Sequence, residues 1–380
     1  MIGIWRIPIN DLLKPVKQEA NFVRRKTRPV RVGNLVIGGD APIVVQSMTK
    51  TDTRDARATI EQIQELEAAG CELIRVAVPD REAADALAEI KRNIHIPLAA
   101  DIHFDWRLAM AALEAGVDKL RLNPGNIGSE DKVRTVVTEA KTRGVPIRIG
   151  VNAGSLEKDL LAKYGHPCPE AMVESAMDHV RILEDLGFYD TIISLKASDV
   201  PTTIAAYRLM ARQCDYPLHV GVTEAGTAWS GTIKSAIGIG ALLADGIGDT
   251  IRVSLSAPSV EEIRVGFELL KSLELRQRGP NIISCPTCGR IEIDLVNIVN
   301  EVERQLADVT EPITVSILGC AVNGPGEAHE ADIGVTGGWG GVAALYIDGK
   351  PAGRIQEGDI VDQVVTRVRA MAEEKRAERG

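Results

Sequence analysis

PIVVQSMT, residues 42–49, is the first of eight apolar runs that decide the fold of this chain. The seven later runs are LIRVAVP (73–79), IPLAADIHF (96–104), KLRLNPGN (119–126), PIRIGVN (146–152), DTIISLKAS (190–198), PLHVGVTEAG (217–226) and DTIRVSLSA (249–257). Such near-continuous apolar runs are typical of parallel strands that are buried on both faces. Segments with helical periodicity separate the runs, and many of these segments end at a glycine, a common signal for the end of a helix.

The sequence thus contains eight units of a strand followed by a helix, and eight is the number that closes a (β/α)8 barrel. We therefore predict an α/β protein with an N-terminal (β/α)8 TIM-type barrel over residues 26–275 and a small α/β domain over residues 281–380. A doubly wound open sheet is the alternative, but no Gly-x-Gly-x-x-Gly motif follows the first strand. Residues 276–280 end in a Gly-Pro pair and indicate a linker. Residues 1–25 are predicted to form a tail.

The composition limits the kind of protein this chain encodes. Its 380 residues are 45% hydrophobic and 26% charged, which indicates a soluble globular protein with a sizeable core. A net charge of −9 and an aromatic content of 3% argue against nucleic acid as a partner. The sequence lacks both an apolar run of about eighteen residues and a secretory leader, so we expect no membrane span and no export. Six scattered cysteines fit a reducing compartment, and we predict a cytoplasmic protein.

Three cysteines near the end of the chain have the spacing of metal ligands. Cys285 and Cys288 lie in CPTCGR (285–290), and Cys320 lies in GCAVNGPGE (319–327). This set can hold three corners of an iron–sulfur cluster. The nearest candidate for a fourth ligand is Glu327. A weak or exchangeable fourth ligand allows one iron to bind substrate, so the motif predicts an enzyme that passes electrons into a substrate.

Other readings of these cysteines stay open from the spacing alone. A Cys-x-x-Cys pair is more often a zinc site, and His329 would complete a Cys3His set. A disulfide between Cys285 and Cys288 is a third reading. The Gly-Pro-Gly turn at 324–326 favours iron–sulfur, because a close backbone provides N–H donors to cluster sulfides.

Charged residues within the predicted strands are the second unusual feature. The cations are Arg75, Arg121, Arg148, Lys196 and Arg252. Because side chains alternate along a strand, Arg121 shares a face with Asn123, Arg148 with Asn152, and Arg252 with Ser254. Arginine is rarely buried without a partner, and catalytic residues of such barrels follow the strands' carboxyl ends.

This surplus of positive charge predicts an anionic ligand at the barrel mouth, most simply a di- or polyphosphate. The alternative is that some arginines face outward and pair with helix carboxylates. Asp101 and Glu224 end two of the strands, where either is an acid–base candidate or an ordinary ion-pair partner.

The chain closely resembles the bacterial 4-hydroxy-3-methylbut-2-enyl diphosphate synthases, iron–sulfur enzymes of the methylerythritol phosphate (MEP) route to isoprenoids. The resemblance covers nearly the whole chain after the tail. It rests on the strings VQSMT, IRVAVP, ADIHF, RLNPGNIG, RIGVNAGSLEKDL, SLKASDV, TEAG, GIGDTIRVSL, CPTCGR and GCAVNGPGE.

The resemblance implies reductive ring opening and dehydration of 2-C-methyl-D-erythritol 2,4-cyclodiphosphate to (E)-4-hydroxy-3-methylbut-2-enyl diphosphate. Two electrons would arrive through a [4Fe–4S] cluster from flavodoxin or ferredoxin. The implied cluster ligands are Cys285, Cys288, Cys320 and Glu327, with Glu327 displaceable by substrate oxygen. The implied substrate-binding residues are Arg75, Arg121, Asn123, Arg148, Lys196, Arg252 and Ser254. The implied catalytic residues are Glu224, Asp101 and Asn152, with Glu224 the best candidate for proton transfer.

Family members are homodimers in which the cluster domain of one subunit caps the barrel of the other, so the resemblance also implies an active site shared between subunits. Two rival functions remain from the residues alone. One is an iron–sulfur sensor or binding module without turnover, although a sensor needs no diphosphate pocket. The other is a zinc-stabilised barrel, such as a phosphate-ester hydrolase or a pterin-type synthase.

Overall fold

The computed structural model describes residues 23–378. The chain divides into two compact units, the first ending at Ile263 and the second beginning at Arg264. Of the predicted tail, residues 1–22 lie outside the described part. Its last residues belong to the first unit: Nη1 of Arg24 donates to the carbonyl of Ala41 at 2.6 Å, and Nη2 donates to the Asp249 carboxylate at 3.1 Å.

A ring of parallel strands forms the centre of the first unit. A short hairpin, β1 (Val30–Val32) and β2 (Leu35–Ile37), precedes it. The ring strands in the described part are β3 (Val44–Met48), β4 (Leu73–Ala77), β5 (Leu98–Asp101), β6 (Lys119–Arg121), β7 (Ile147–Asn152), β8 (Thr191–Lys196), β9 (His219–Val220) and β10 (Thr250–Ile251). Consecutive strands pair from β3 to β8 and β9 pairs with β10. β10 returns to β3, and a parallel bridge from Ile193 to Leu218 joins β8 to the chain before β9. The predicted eight-stranded barrel is confirmed, and the open-sheet alternative is wrong.

Helices follow each strand of the ring. They are α1 (Ala56–Ala68), α2 (Arg81–Arg92), α3 (Trp106–Glu114), α4 (Glu130–Arg143), α5 (Lys158–Tyr164), α6 (Pro169–Asp185), α7 (Val200–Ala211), α8 (Ala228–Ala244) and α9 (Ser259–Ser272). Aspartates cap several of them: the Asp55 side chain accepts the N–H of Ala58, and that of Asp80 accepts the N–H of Ala83. Gly144 ends α4 with a φ of 65°, a conformation that suits glycine.

The hairpin β1–β2 packs its apolar side chains against the barrel strands. Val30, Val32 and Ile37 are buried in one cluster with Val44 and Leu73, which begin or nearly begin their strands. The hairpin therefore covers the amino-terminal end of the barrel. Its strands are three residues long, too short for a periodic pattern, and the sequence analysis did not identify them.

The second unit is a mixed sheet with helices. Its strands are β11 (Asn281–Ser284), β12 (Thr314–Leu318), β13 (Ile333–Thr336), β14 (Val342–Ile347) and β15 (Lys350–Gln356), paired in that order. β11, β12 and β13 are parallel, and β14 and β15 are antiparallel to their neighbours. Helices α10 (Leu295–Gln305), α11 (Gly324–His329) and α12 (Ile360–Ala377) complete it. Apolar residues of α10, α12 and the sheet form one core.

Across the described residues, none of the helices is both apolar and long enough to cross a membrane.

Candidate active site

A polar cavity lies at the carboxyl ends of the barrel strands. The residues that line it are Arg75, Asp101, His103, Arg121, Arg148, Asn152, Lys196, Thr223, Arg252 and Ser254. Its volume is about 90 Å³, several times the ~10–15 Å³ that one water needs. The five strand cations therefore face the interior of the barrel rather than the helix layer.

Strand register brings the charges into contact. Asp101 is paired with Arg121 across β5 and β6, and Arg121 with Arg148 across β6 and β7. Asp101 Oδ1 lies 3.2 Å from Nη1 of Arg121, and Oδ2 lies 3.5 Å from Nε of Arg75. One carboxylate thus lies between two guanidinium groups. Nη1 of Arg121 also lies 2.6 Å from Nε2 of His103.

The guanidinium groups have more donors than the protein satisfies. Arg148 is 1% exposed, and its Nη1 donates to the hydroxyl of Ser194. Its Nε and Nη2 have no protein acceptor, and the same holds for Nε of Arg121 and of Arg252. Buried donors without acceptors are costly, so this pattern fits a cavity built for an anion that accepts several hydrogen bonds.

The pKa shifts in the cavity reflect its excess of positive charge. Burial alone would raise the pKa of Asp101, but Arg75, Arg121 and Arg148 lower it to about 2. This carboxylate is therefore ionised at neutral pH. Burial, reinforced by neighbouring arginines, holds the pKa of Lys196 well below its usual value. A bound anion would reverse that effect by favouring the protonated amine.

Two glycines make room for the cations. A Cβ at Gly150 would lie 2.5 Å from Nε of Arg121, and one at Gly221 would lie 2.8 Å from Nζ of Lys196. Gly221 would also meet the carbonyl of Arg252 at 2.5 Å. Side chains at these two positions would displace the cations, so the strand sequence and the cavity charge depend on each other.

Two of the site residues predicted in the barrel do not line the cavity. The amide of Asn123 bonds to the backbone of β7, accepting from Gly150 N at 2.8 Å and donating to Gly150 O at 3.1 Å. Glu224 is exposed and has a φ of 52°, a left-handed conformation that is unusual for a residue with a side chain. Such strain occurs often at functional positions.

Three further residues of the barrel had no predicted role. His103 and Thr223 line the cavity beside predicted residues. Burial lowers the pKa of His103, and the surrounding arginines add to the effect. The neutral ring can therefore accept a hydrogen bond from Arg121. Lys119 is fully buried, and its Nζ donates to the Gln46 side chain at 2.8 Å. Alternation could have identified Lys119, which is two residues before Arg121 in one run.

The cysteines of the second unit follow neighbouring parallel strands. Cys285 comes directly after β11, and Cys320 comes two residues after β12, so both leave the sheet at one edge. The N–H of Gly319 points to Sγ of Cys285 at 3.5 Å. Cys288 is three residues beyond Cys285, and Glu327 lies in α11. All six cysteines of the chain are free thiols, so the disulfide reading is wrong.

The donor set suits a cluster in its chemistry, but the side chains do not converge. Within residues 23–378, no three His, Cys, Asp or Glu side chains are grouped closely enough to hold a metal ion. The loops are nevertheless tightly packed: a Cβ at Gly337 would lie 2.5 Å from the carbonyl of Gly319. Three thiols and a carboxylate near one sheet edge fit an iron–sulfur group, and their role as ligands stays a prediction.

Fold and cavity together define a class: an α/β barrel with a cationic cavity at the carboxyl ends of its strands, followed by a small domain with three cysteines. The chain belongs to the GcpE family, since the model of the GcpE TIM-barrel domain matches residues 27–267 and that of the GcpE protein C-terminal domain matches residues 281–370.

Curated relatives match over nearly their whole length. A protein of Geobacter sulfurreducens is 60% identical over 353 residues, which is 93% of this chain and 100% of that protein. One of Acidithiobacillus ferrooxidans is 57% identical over 361 residues, 95% of this chain and 98% of the relative. Both are named 4-hydroxy-3-methylbut-2-en-1-yl diphosphate synthase (flavodoxin). A solved dihydropteroate synthase of Stenotrophomonas maltophilia is 14% identical, with a TM-score of 0.48 over 65% of this chain and 97% of that one.

Proposed function

We propose that this protein reduces 2-C-methyl-D-erythritol 2,4-cyclodiphosphate to (E)-4-hydroxy-3-methylbut-2-enyl diphosphate, the product that the names of its relatives print. The observation that carries the proposal is the cavity with five strand cations and unpartnered guanidinium donors. In the reaction two electrons and two protons enter, the ring opens at a C–O bond, and one water leaves.

In this proposal the diphosphate occupies the cationic cavity. The free N–H groups of Arg121, Arg148 and Arg252 would donate to its oxygens, and Lys196 would be protonated beside it. Charge-assisted hydrogen bonds of this kind are the strong ones, and several together fix the orientation of a compact dianion. Asn152 and Ser254 line the same cavity and would bind the polar groups of the substrate.

Asp101 and Glu224 would take different roles. Asp101 has a pKa of about 2 and lies between two arginines, so it carries no proton to donate at neutral pH. Its role would be to hold Arg75 and Arg121 in place. Glu224 is exposed next to Thr223 of the cavity, and we assign to it the transfer of a proton to the departing hydroxyl.

Cys285, Cys288, Cys320 and Glu327 would hold a [4Fe–4S] cluster in the domain over residues 281–380. When bound, such a cluster supplies low-potential electrons one at a time. The electron donor would be flavodoxin, the donor printed in the relatives' names, and the protein would work in the reducing cytoplasm, where its six thiols stay free.

Anaerobic turnover tests the proposed function. Purified protein with dithionite should convert the cyclodiphosphate to the linear diphosphate, detected by mass spectrometry, and should contain iron and sulfide in equal amounts. A preparation that contains zinc and no iron would contradict the proposal and favour a zinc-stabilised barrel. A preparation with a full cluster and no turnover would contradict it and favour a sensor.

We also propose that the working unit is a homodimer in which the cluster domain of one subunit serves the barrel of the other. The resemblance to the diphosphate synthases, whose family members are homodimers of this kind, supports the proposal. Two identical contacts, each between the cluster domain of one subunit and the barrel of the other, close a two-fold dimer.

Subunit mixing tests the dimer. Glu224→Gln and Cys320→Ser chains should each be inactive, and co-expressed heterodimers should regain part of the activity, because one of their two sites carries neither lesion. Separate tags on the two chains isolate the heterodimer. A folded, isolated heterodimer without activity would show that each cluster serves its own barrel.

A further inference from the structure

A buried carboxylate outside the cavity contacts one of its arginines. Glu262, in the first turn of α9, has a side chain that is 1% exposed, and its Oε2 lies 3.5 Å from Nη2 of Arg252. It does not line the cavity. A buried carboxylate needs partners to offset the loss of water, and the partners of Glu262 indicate what it holds.

Each oxygen of Glu262 has one neutral and one cationic donor. Oε1 accepts the N–H of Leu255 at 3.1 Å and lies 3.5 Å from Nζ of Lys50. Oε2 accepts the hydroxyl of Ser47 at 3.0 Å and forms the ion pair with Arg252. The carboxylate thus joins β3 to the segment that follows β10, and its donor set is complete.

The segment held in this way carries two cavity residues. Arg252 and Ser254 line the cavity, and Leu255 is the next residue along. Lys50 reinforces the attachment, because its Nζ also donates to the carbonyls of Leu255 and Ala257. Nη2 of Arg252 is paired with Glu262, whereas Nε of the same guanidinium has no protein acceptor.

We propose that Glu262 is a positioning residue, which fixes Arg252 and the segment through Leu255 so that the guanidinium meets a diphosphate in one orientation. The inference rests on the proposed function, because it takes Arg252 to bind substrate. Burial and the charge of Arg75 lower the pKa of Arg252 to about 10, and the negative charge of Glu262 opposes that decrease.

Positioning and simple charge balance predict opposite results. Glu262→Gln removes a negative charge near an anion site, so by field alone it should tighten anion binding. The amide, however, would place an NH2 group against the guanidinium or lose the Leu255 bond. If Glu262 acts by position, Glu262→Gln should raise KM for the cyclodiphosphate about tenfold, the scale of one lost hydrogen bond to a charged group.

Glu262→Asp separates the two effects, because it keeps the charge and shortens the side chain by one methylene. We expect it also to weaken binding, whereas charge balance alone would leave binding unchanged. Glu268→Gln, at an exposed position on α9, is the matched control and should behave like the wild type. In a double-mutant cycle, Glu262→Gln in an Arg252→Ala background should change KM by less than about twofold.

Binding of inorganic pyrophosphate, measured by calorimetry on the holoenzyme, gives a readout that needs no turnover. Weaker binding by both Glu262 variants, with folding verified by circular dichroism, supports the inference. The inference is wrong if the Glu262 variants turn over the cyclodiphosphate like the wild type and bind pyrophosphate equally tightly or more tightly. A wild-type protein that binds pyrophosphate in a Glu262-dependent way but does not act on the cyclodiphosphate would refute the proposed function alone.

Discussion

Replacement of Cys320 by serine should abolish both the iron–sulfur absorbance and the catalytic activity of this protein. A serine hydroxyl is a poor ligand for iron at neutral pH, and Cys320 lies at the sheet edge that it shares with Cys285. The loss should be complete, because in the proposed function the electrons reach the substrate through the cluster. Iron and sulfide analysis, the visible spectrum and dithionite-driven turnover measure it.

Cys214→Ser is the matched control. Cys214 lies in the barrel unit, where its thiol bonds to the carbonyl of Met210 at 3.8 Å and burial raises its pKa. This variant should retain the cluster and turnover. If Cys320→Ser keeps a full cluster and its activity, the proposed ligand set is wrong.

Arg148→Met should weaken binding of the cyclodiphosphate about 10- to 100-fold, since a hydrogen bond to a charged group contributes about 1.5–3 kcal/mol. Arg148 is buried with two guanidinium nitrogens unpartnered, so its donors are available to a ligand. Calorimetric titration of the anaerobic holoenzyme measures the change. The cluster spectrum should stay the same.

The ligand-free stability should respond in the opposite direction. Burial lowers the pKa of Arg148 most, and the nearby charges of Arg75 and Arg121 lower it further. The buried charge is therefore unfavourable without a ligand, and a methionine removes it. Chemical denaturation should show equal or greater stability for the variant. Arg134→Ala, which removes an exposed ion pair with Glu130 on α4, is the control for both measurements. Unaltered affinity in Arg148→Met would exclude Arg148 from substrate binding.

The sequence predicted the barrel well because its strands carry strong apolar runs. All eight runs contain a strand of the ring. Two strands of the second domain illustrate what a sequence pattern misses. β15 is exposed along most of its length, and β11 has only four residues, so neither has the apolar pattern of a buried strand.

The cavity could be predicted only in part. Charges inside apolar runs identified the arginines, because alternation and strand ends determine where such residues point. Contacts across the fold could not be read in this way. The amide of Asn123 bonds to Gly150, twenty-seven residues later, and Glu262 reaches Ser47, 215 residues earlier. No local pattern encodes such partners, so the supporting carboxylate was missed while the cations were found.

The glycines beside the cations have a consequence for how such a barrel can diverge. The 2.5 Å that would separate a Cβ at Gly150 from Arg121 makes the two positions epistatic. While the arginine is present, any larger residue at 150 is rejected. Once a descendant replaces the arginine with a small residue, position 150 is free to accept bulk, and that bulk then blocks the arginine's return. Gly221 differs, because the carbonyl of Arg252, 2.5 Å from a Cβ, restricts that position whether or not Lys196 is present. Loss of Arg121 therefore becomes hard to reverse, and the order of substitutions decides whether a lineage can regain it.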